Sequence, residues 1–278
     1  MKISEKLVFG LRRFYMKNIF YRMRERRGFT RIKMVLDSLA ERYAEKSDRP
    51  EFNIFEKDWD NLLILDACRL DLYEEVEGKT DGRTSLGSST AEFVEKNFSE
   101  GDFSDVVYVT GNPHFSKKLF SELTGRDPDK TFHEVFHTYM TDWNEENGTV
   151  LPESLIRDSI TAKKLFPDKK IVIHFMQPHH PFVNSEIEND SAMVGKDKAN
   201  KIWSRLEREE FSKEEIWKAY RENLDYILNE IEEFTEDLEG KTAITSDHGN
   251  AVGESTFYGH PKEVNTKELR EVPWNIIS

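Results

Sequence analysis

Four consecutive aliphatic residues, Leu62 to Leu65, closed by Asp66, constrain the fold more than any other stretch of the chain. A strand with one wet face alternates apolar and polar side chains, so an unbroken aliphatic run belongs to a strand covered on both faces, as in a parallel sheet between helices. The pattern recurs. Asp105 to Thr110, Lys169 to Met176 and Thr242 to Thr245 are further short apolar runs, and each is predicted to be a strand. Between them, Asp71 to Glu77, Thr90 to Asn97 and Leu151 to Leu165, with Pro152 in its first turn, are predicted helices. Ser212 and Glu215 form a capping box, and Ile216, Tyr220, Leu224, Ile227, Ile231 and Phe234 keep helical spacing behind it. The expectation is an α/β fold, with a mainly parallel central sheet, helices on both faces and an N-terminal helical extension. We place the extension at residues 1 to 50 and the α/β domain at 51 to 278.

Ligands of such sheets sit beyond the carboxyl ends of the strands, and there this sequence puts acids, hydroxyls and imidazoles. Thr242 to Thr245 runs into Ser246-Asp247-His248-Gly249-Asn250. A carboxylate and an imidazole side by side at a buried strand end can turn onto one cation, with Gly249 letting the backbone bend behind them. Read alone, Asp247 would equally serve as a turn cap and His248 as a loop histidine. Four further clusters weigh against that. Asp66 ends the first strand, Gly87-Ser88-Ser89-Thr90 opens a helix, Gln177-Pro178-His179-His180-Pro181-Phe182 ends a strand, and Tyr258-Gly259-His260-Pro261 follows the central motif.

This order of motifs resembles the alkaline phosphatase superfamily, in particular its sulfatase-like and lipoteichoic-acid-synthase-like branches and archaeal members. The resemblance covers roughly residues 60 to 278, including the closing Leu269-Arg270-Glu271-Val272-Pro273-Trp274-Asn275-Ile276-Ile277 as a final core strand. It implies that Asp66, Asp247 and His248 hold the metal that activates the nucleophile. It also implies that His260 and His179 serve a second metal or the substrate phosphate, and that the nucleophile lies within Ser88 to Thr90. Thr90 is favoured, both as nucleophile and as metal ligand, because it falls in the first helical turn while Ser89 with Glu92 makes a capping box. Ser88 stays open as an alternative. His179 is an expected catalytic residue, and Arg69, Asn112, His180 and Lys262 are expected at the substrate. Three of these have a plainer reading: an ion pair for Arg69, a turn for Asn112 together with His114, a solvated loop for Lys262. The implied cofactor is one or two divalent ions, zinc or manganese, since carboxylate plus imidazole suits either.

The implied reaction is phosphoryl transfer on phosphate esters through a covalent phospho-Thr90. A neutral hydroxyl is a weak nucleophile that a cation can activate, and a helix N-terminus favours an anion. Sulfatases of this superfamily make a formylglycine from a Cys or Ser with Pro and Arg two and four places on. Cys68 is followed by Arg69, Leu70, Asp71 and Leu72, and neither Ser88 nor Ser89 has the motif, so that chemistry is not expected. Cys68 reads as a small core residue. Two other readings remain: a member that keeps the metal site but serves as a binding or assembly subunit, and a phosphoglycerate-mutase-like isomerase. For the latter the chain is short of a second domain.

Charge separates the chain into two parts. Residues 1 to 33 hold eleven Lys or Arg against two Glu, a balance of +9, so the net −13 leaves −22 on the remainder. An acidic body does not suit nucleic acid. The expected partners are instead phosphorylated small-molecule, glycan or lipid-linked substrates, with peripheral membrane contact through the N-terminus. With one cysteine no internal disulfide forms, which points to the cytoplasm, on or near the inner face of the membrane. Leu7, Leu11, Phe14 and Ile19 lie among arginines and lysines that rule out a spanning helix or a secretion signal. They fit either an interfacial helix or a helix packed on the body. In Thr30 to Lys46, residues Ile32, Val35, Leu36, Leu39 and Tyr43 share one face expected to dock on the domain. His133 and His137 are four apart and could share a helix face and a metal, but ordinary surface or core histidines are the expected reading; His174 is expected to be buried structure; and Phe182 to Phe211 is predicted to be an irregular lid.

Overall fold

A computed structural model describes residues 3–16, 19, 27–183, 185, 187 and 201–277, with side chains omitted for 27–30 and 201. The backbone elements that matter for the site are α1 (Ile3–Tyr15), α2 (Arg27–Tyr43), β1 (Asn61–Asp66), α3 (Leu70–Glu77), β2 (Asp81–Thr84), α4 (Thr90–Phe98) and β3 (Phe103–Thr110). They continue with α5 (Lys117–Thr124), β4 (Phe132–His137), α6 (Pro152–Leu165), β5 (Lys170–Pro178), α7 (Lys201–Glu207), α8 (Lys213–Glu236), β6 (Thr242–Thr245) and β7 (Glu271–Ile276). The central sheet has the order β2-β7-β6-β1-β5-β3-β4. β1 pairs in parallel with β5 and β6, and β3 in parallel with β4 and β5, while β7 runs antiparallel to β2 and β6. The expected mainly parallel α/β fold is therefore present.

The aliphatic runs behave as two-faced strands. Leu63 and Leu65 of β1, Ile171 and Ile173 of β5, and Val107 and Val109 of β3 belong to one core, under α3, α6 and α8. Their alternating neighbours Leu62, Ile64, Val172, Val106 and Tyr108 belong to the other, under α4 and α5. Helix α8 begins at the Ser212–Glu215 capping box and buries Ile216, Leu224, Ile227 and Ile231. Each such side chain contributes roughly 1.5–3 kcal/mol on burial. Apolar burial on both faces fixes β1, β5 and β6 side by side, so that their carboxyl ends open at one edge.

Three expectations need correction. His133 and His137 lie on strand β4, not on a helix, and His133 stacks edge-on against Phe166, with centroids 4.8 Å apart. The lid expected over Phe182 to Phe211 lies largely outside the described residues, but its end is the regular helix α7, which buries Ile202, Trp203 and Leu206. On α2 the docked face is rotated from the one expected. Ala40 and Ala44 are buried, whereas Ile32 is 47% and Val35 59% exposed. Small alanines let the helix backbone close on the body: Ala40 packs with Ala251, Phe257, Val264 and Leu269, joined by Val8 and Phe9 of α1. Among the described residues no helix is long and apolar enough to cross a membrane.

Candidate active site

The site grows from two adjacent strand ends. Asp66 closes β1, and Asp247 lies two residues past the end of β6, its parallel neighbour. Ala67, directly after Asp66, holds a left-handed φ of 61°, a conformation costly for a residue with a Cβ. That bend sends its N–H to Asp247 Oδ1 at 2.9 Å, and Tyr220 from α8 donates its hydroxyl to the Ala67 carbonyl. Gly249 is required by close approach. A Cβ there would stand 2.2 Å from the carbonyl oxygen of Glu268, to whose neighbour Leu269 the Gly249 N–H donates at 2.8 Å. The expected role as a bend is thus replaced by one of contact.

Asp66, Asp247 and His248 are buried, and one ligand atom from each lies within 4.8 Å of the others. Asp66 Oδ2 accepts from Asn112 Nδ2 at 2.8 Å, and Asp247 Oδ1 accepts from the N–H groups of Ala67 and His248. The second oxygen of each, Asp66 Oδ1 and Asp247 Oδ2, is buried with no hydrogen-bond partner. These two oxygens sit 3.7 and 3.5 Å from His248 Nε2. His248 Nδ1 donates to the Gly249 carbonyl at 2.8 Å, which leaves its Nε2 unprotonated, as a metal ligand needs. Burial, and then the charge of Asp247, push the Asp66 carboxyl well above the usual range. At Asp247 burial works in the same direction, but His248, His174 and the Ala67 N–H hold it low. Two carboxylates and an unprotonated imidazole nitrogen converging on one point fit a divalent cation, and this donor set suits zinc or manganese.

Thr90 Oγ1 lies 3.2 Å from His248 Nε2, at the first position of α4. The expected Ser89–Glu92 capping box is absent: Ser89 makes no cap bond, and its Oγ is buried and unbonded. Glu92 serves Ser88 instead, accepting from its N–H at 2.8 Å and its hydroxyl at 3.0 Å, and also takes the Glu263 N–H. Those bonds hold the Glu92 carboxyl below its ordinary range although burial opposes them. They tie α4 to the loop that carries His260, and they leave the first-turn N–H groups without a capping side chain. Ser88 Oγ, occupied by Glu92 and the Pro261 carbonyl, is not free to react as it stands.

A second group of imidazoles flanks the first. The His260 ring is 4.7 Å from that of His248, and its Nε2 is 3.0 Å from His179 Nε2. His179 Nδ1 donates to the His180 carbonyl, so the proton between the two rings sits on His260. His260 therefore stands beside the two-aspartate group and not within it. His114, reached from β3, points the same way: its Nδ1 donates to Asn112 Oδ1 at 2.9 Å, so Asn112 bridges His114 to Asp66. Burial lowers His114 and His179 to about 4 and His260 well below its usual value, which keeps these rings neutral near pH 7. A cavity of about 460 Å³ is lined by Thr90, Ser89, His114, His260 and Lys262. Its other walls come from Trp203 and Ser204 of α7 and from Arg12, Met16 and Lys33 of the N-terminal segment.

The remaining expected residues lie apart from that cavity. Arg69 spends its guanidinium on Asp71 at 2.6 and 2.8 Å, on Glu254 at 2.8 Å and on the Asn250 carbonyl at 2.9 Å, with Trp217 beneath it. It fastens the loop after β6 to the start of α3. His180 is buried edge-on to Phe182, with its Nε2 unpartnered. Cys68 is buried, and burial raises its thiol well above the usual range, so it is no nucleophile. His174, read as structure, lies under the site with Nδ1 3.1 Å from the Tyr108 hydroxyl and Nε2 3.8 Å from Asp247 Oδ2. Its place in the middle of a strand disguised that position. The Asn112–His114 bridge was visible in sequence only as a Gly-Asn-Pro-His turn.

No family model matches the chain, and no curated protein matches it by sequence. Solved structures do. The soluble domain of lipooligosaccharide phosphoethanolamine transferase A from Neisseria meningitidis aligns over 84% of this chain and 80% of its own, at 14% identity and a TM-score of 0.52. Of the integral membrane form of that protein, this chain spans 50%, with 84% of its own length aligned, 13% identity and a TM-score of 0.46. A lipoteichoic acid synthase from Listeria monocytogenes aligns over 84% of this chain and 69% of that one, at 9% identity and a TM-score of 0.42. At such identities the likeness is one of fold, and it agrees with the order of motifs along the strand ends: the chain has the alkaline-phosphatase, sulfatase-like fold.

Proposed function

We propose that the protein is a metal-dependent phosphoryl-transfer enzyme acting on phosphate esters through a covalent phospho-Thr90. The observation that carries the reading is the pair of buried carboxylate oxygens without donors, Asp66 Oδ1 and Asp247 Oδ2, gathered with His248 Nε2 next to the Thr90 hydroxyl. Asp66, Asp247 and His248 would hold the cation, with Thr90 as a further ligand; its chemistry there is to lower the pKa of a hydroxyl and offset phosphate charge. Thr90 Oγ1 loses its proton to water and forms the bond to phosphorus as the bond to the leaving oxygen breaks, and the leaving oxygen takes a proton from water. The uncapped first turn of α4, lined by Ser89, Thr90 and Ala91, gives N–H donors to the phosphoryl oxygens. Neutral His260, which keeps its Nε2 proton on His179, stands with Lys262 and His114 around the cavity where the substrate would lie. Water or an acceptor hydroxyl then takes the phosphoryl group from Thr90, completing hydrolysis or transfer. Substrates are phosphorylated small molecules, glycans or lipid-linked esters.

The test is metal content by mass spectrometry together with hydrolysis of p-nitrophenyl phosphate and bis-p-nitrophenyl phosphate by wild type, Thr90→Ala and Asp247→Ala. Bound zinc or manganese, one or two ions per chain, with turnover abolished in both variants, is expected. Activity that survives Thr90→Ala moves the nucleophile to Ser89 or Ser88. A metal-free wild type that stays inactive with added cations overturns the enzyme reading in favour of a binding subunit.

A further inference from the structure

Helices α1 and α2 turn opposite faces to the body and to the outside. Inward, Val8, Phe9, Arg12 and Tyr15 of α1 and Leu36, Asp37 and Ala40 of α2, with Ala44 directly after it, are buried or partly buried. Arg12 is the fastening: it bonds Asp37 at 2.7 Å and the Thr256 carbonyl, and lies over the Phe257 ring at 4.7 Å. Outward, α1 presents Ile3, Leu7, Leu11 and Phe14, exposed by 89, 61, 51 and 60%. On α2, Ile32, Val35, Leu39 and Tyr43 are exposed by 47, 59, 38 and 37%. Both sets keep the three-and-four spacing of a single helical face. Exposed apolar side chains gathered on one face of a helix mark interaction surfaces.

Charge identifies the partner. The exposed Lys6 sits one residue from Leu7, and the exposed Arg31 and Arg42 stand four before and seven after Val35, on its side of α2. The first 33 residues carry +9 against −22 on the rest of the chain. A second copy docked through the same face would set its own Lys6, Arg31 and Arg42 against these, whereas a bilayer with anionic headgroups offers hydrocarbon for the stripe and negative charge for its flanks. We propose that the α1–α2 pair seats the protein peripherally on anionic lipid bilayers. This goes beyond the phosphoryl-transfer reading and does not depend on it. The same two helices contribute Arg12 and Lys33 to the cavity at Thr90, with Met16 directly after α1, so the seat and the cavity wall adjoin.

The test is sedimentation of the full chain with vesicles of phosphatidylcholine alone or mixed with phosphatidylglycerol, for wild type and for Leu7→Asp/Phe14→Asp and Val35→Asp. All three positions are exposed, so folding is retained and is checked by circular dichroism. Binding is expected to mixed vesicles only, to fall steeply with salt, and to weaken at least tenfold in either variant, with turnover of soluble p-nitrophenyl phosphate unchanged. Absence of binding at low salt, or equal binding by the variants, overturns the proposal. Light scattering that shows a dimer dissolved by the same substitutions, without vesicle binding, assigns the stripe to a second copy instead. Because retention on vesicles needs no turnover, this failure is distinct from failure of the enzyme reading.

Discussion

Replacing Asp66 by Asn should destabilise nothing in the metal-free protein; it should stabilise it. Asp66 Oδ1 is buried without a donor, and its neighbour Asp247 is a second buried carboxylate. An unsatisfied buried acceptor costs roughly 1–3 kcal/mol, more when charged. An asparagine can keep the bond from Asn112 Nδ2 while shedding the charge. For 278 residues at roughly 2.1 cal/mol/K each, the unfolding entropy is about 0.6 kcal/mol/K, so the gain is about 2–5 °C in Tm. With metal present the order reverses in its response. Wild type at a thousandfold excess over Kd gains about 4 kcal/mol, or about 7 °C, and a ligand loss that weakens binding about a hundredfold leaves about 2 °C of that. The assay is thermal melting in chelator and then in graded zinc or manganese. The pH dependence has a defined sign. The Asp66 carboxyl is raised in the fold, so the chelated protein loses stability as pH rises past the unfolded value of about 4, and Asp66→Asn removes that slope. A variant that melts below wild type in chelator and responds to metal just as wild type does would refute the argument, because the carboxylates would then be structural.

Three further outcomes follow from the same geometry. Arg69→Met should lower stability by about 2 kcal/mol through its lost charged hydrogen bonds, with KM for p-nitrophenyl phosphate unchanged; a raised KM at unchanged Tm would put the guanidinium on the substrate. Gly249→Ala should cost about 3 kcal/mol or more, read by denaturant melts, because the Glu268 carbonyl occupies the space a Cβ needs. Ser212→Ala should cost about 1 kcal/mol by uncapping α8. The bonds from Ser212 hold the Glu215 carboxyl low, so that contribution is present above its unfolded value of about 4 and lost as acid protonates it; the melts of the two proteins should converge at low pH.

What was legible in the sequence follows from how burial works. A strand covered on both faces must be apolar at every position, so β1, β5 and β6 announced themselves, and the residues at their ends could be grouped before any coordinates existed. The convergence of Asp66, Asp247 and His248 is a consequence of parallel neighbours ending at one edge. Three features were not legible, each because a local pattern has more than one partner to choose from. Ser89 and Glu92 have capping-box spacing, yet Glu92 takes the N–H groups of Ser88 and Glu263, and the second of these is 171 residues away. The bridge Asp66–Asn112–His114 joins the ends of β1 and β3, which flank β5, a placement that depends on the sheet order and not on any spacing. Helical periodicity on α2 located an apolar stripe but not what covers it. A stripe is drawn inward only if the body offers apolar area of matching shape, and the loop after β6 offers Ala251, Phe257, Val264 and Leu269, a surface that Ala40 already fits. The larger side chains therefore stay outside, next to the helix that walls the cavity. In this protein the residues that escape a sequence reading are those whose partners lie across the site, as Glu92 does with Glu263 and Asp66 with Asn112.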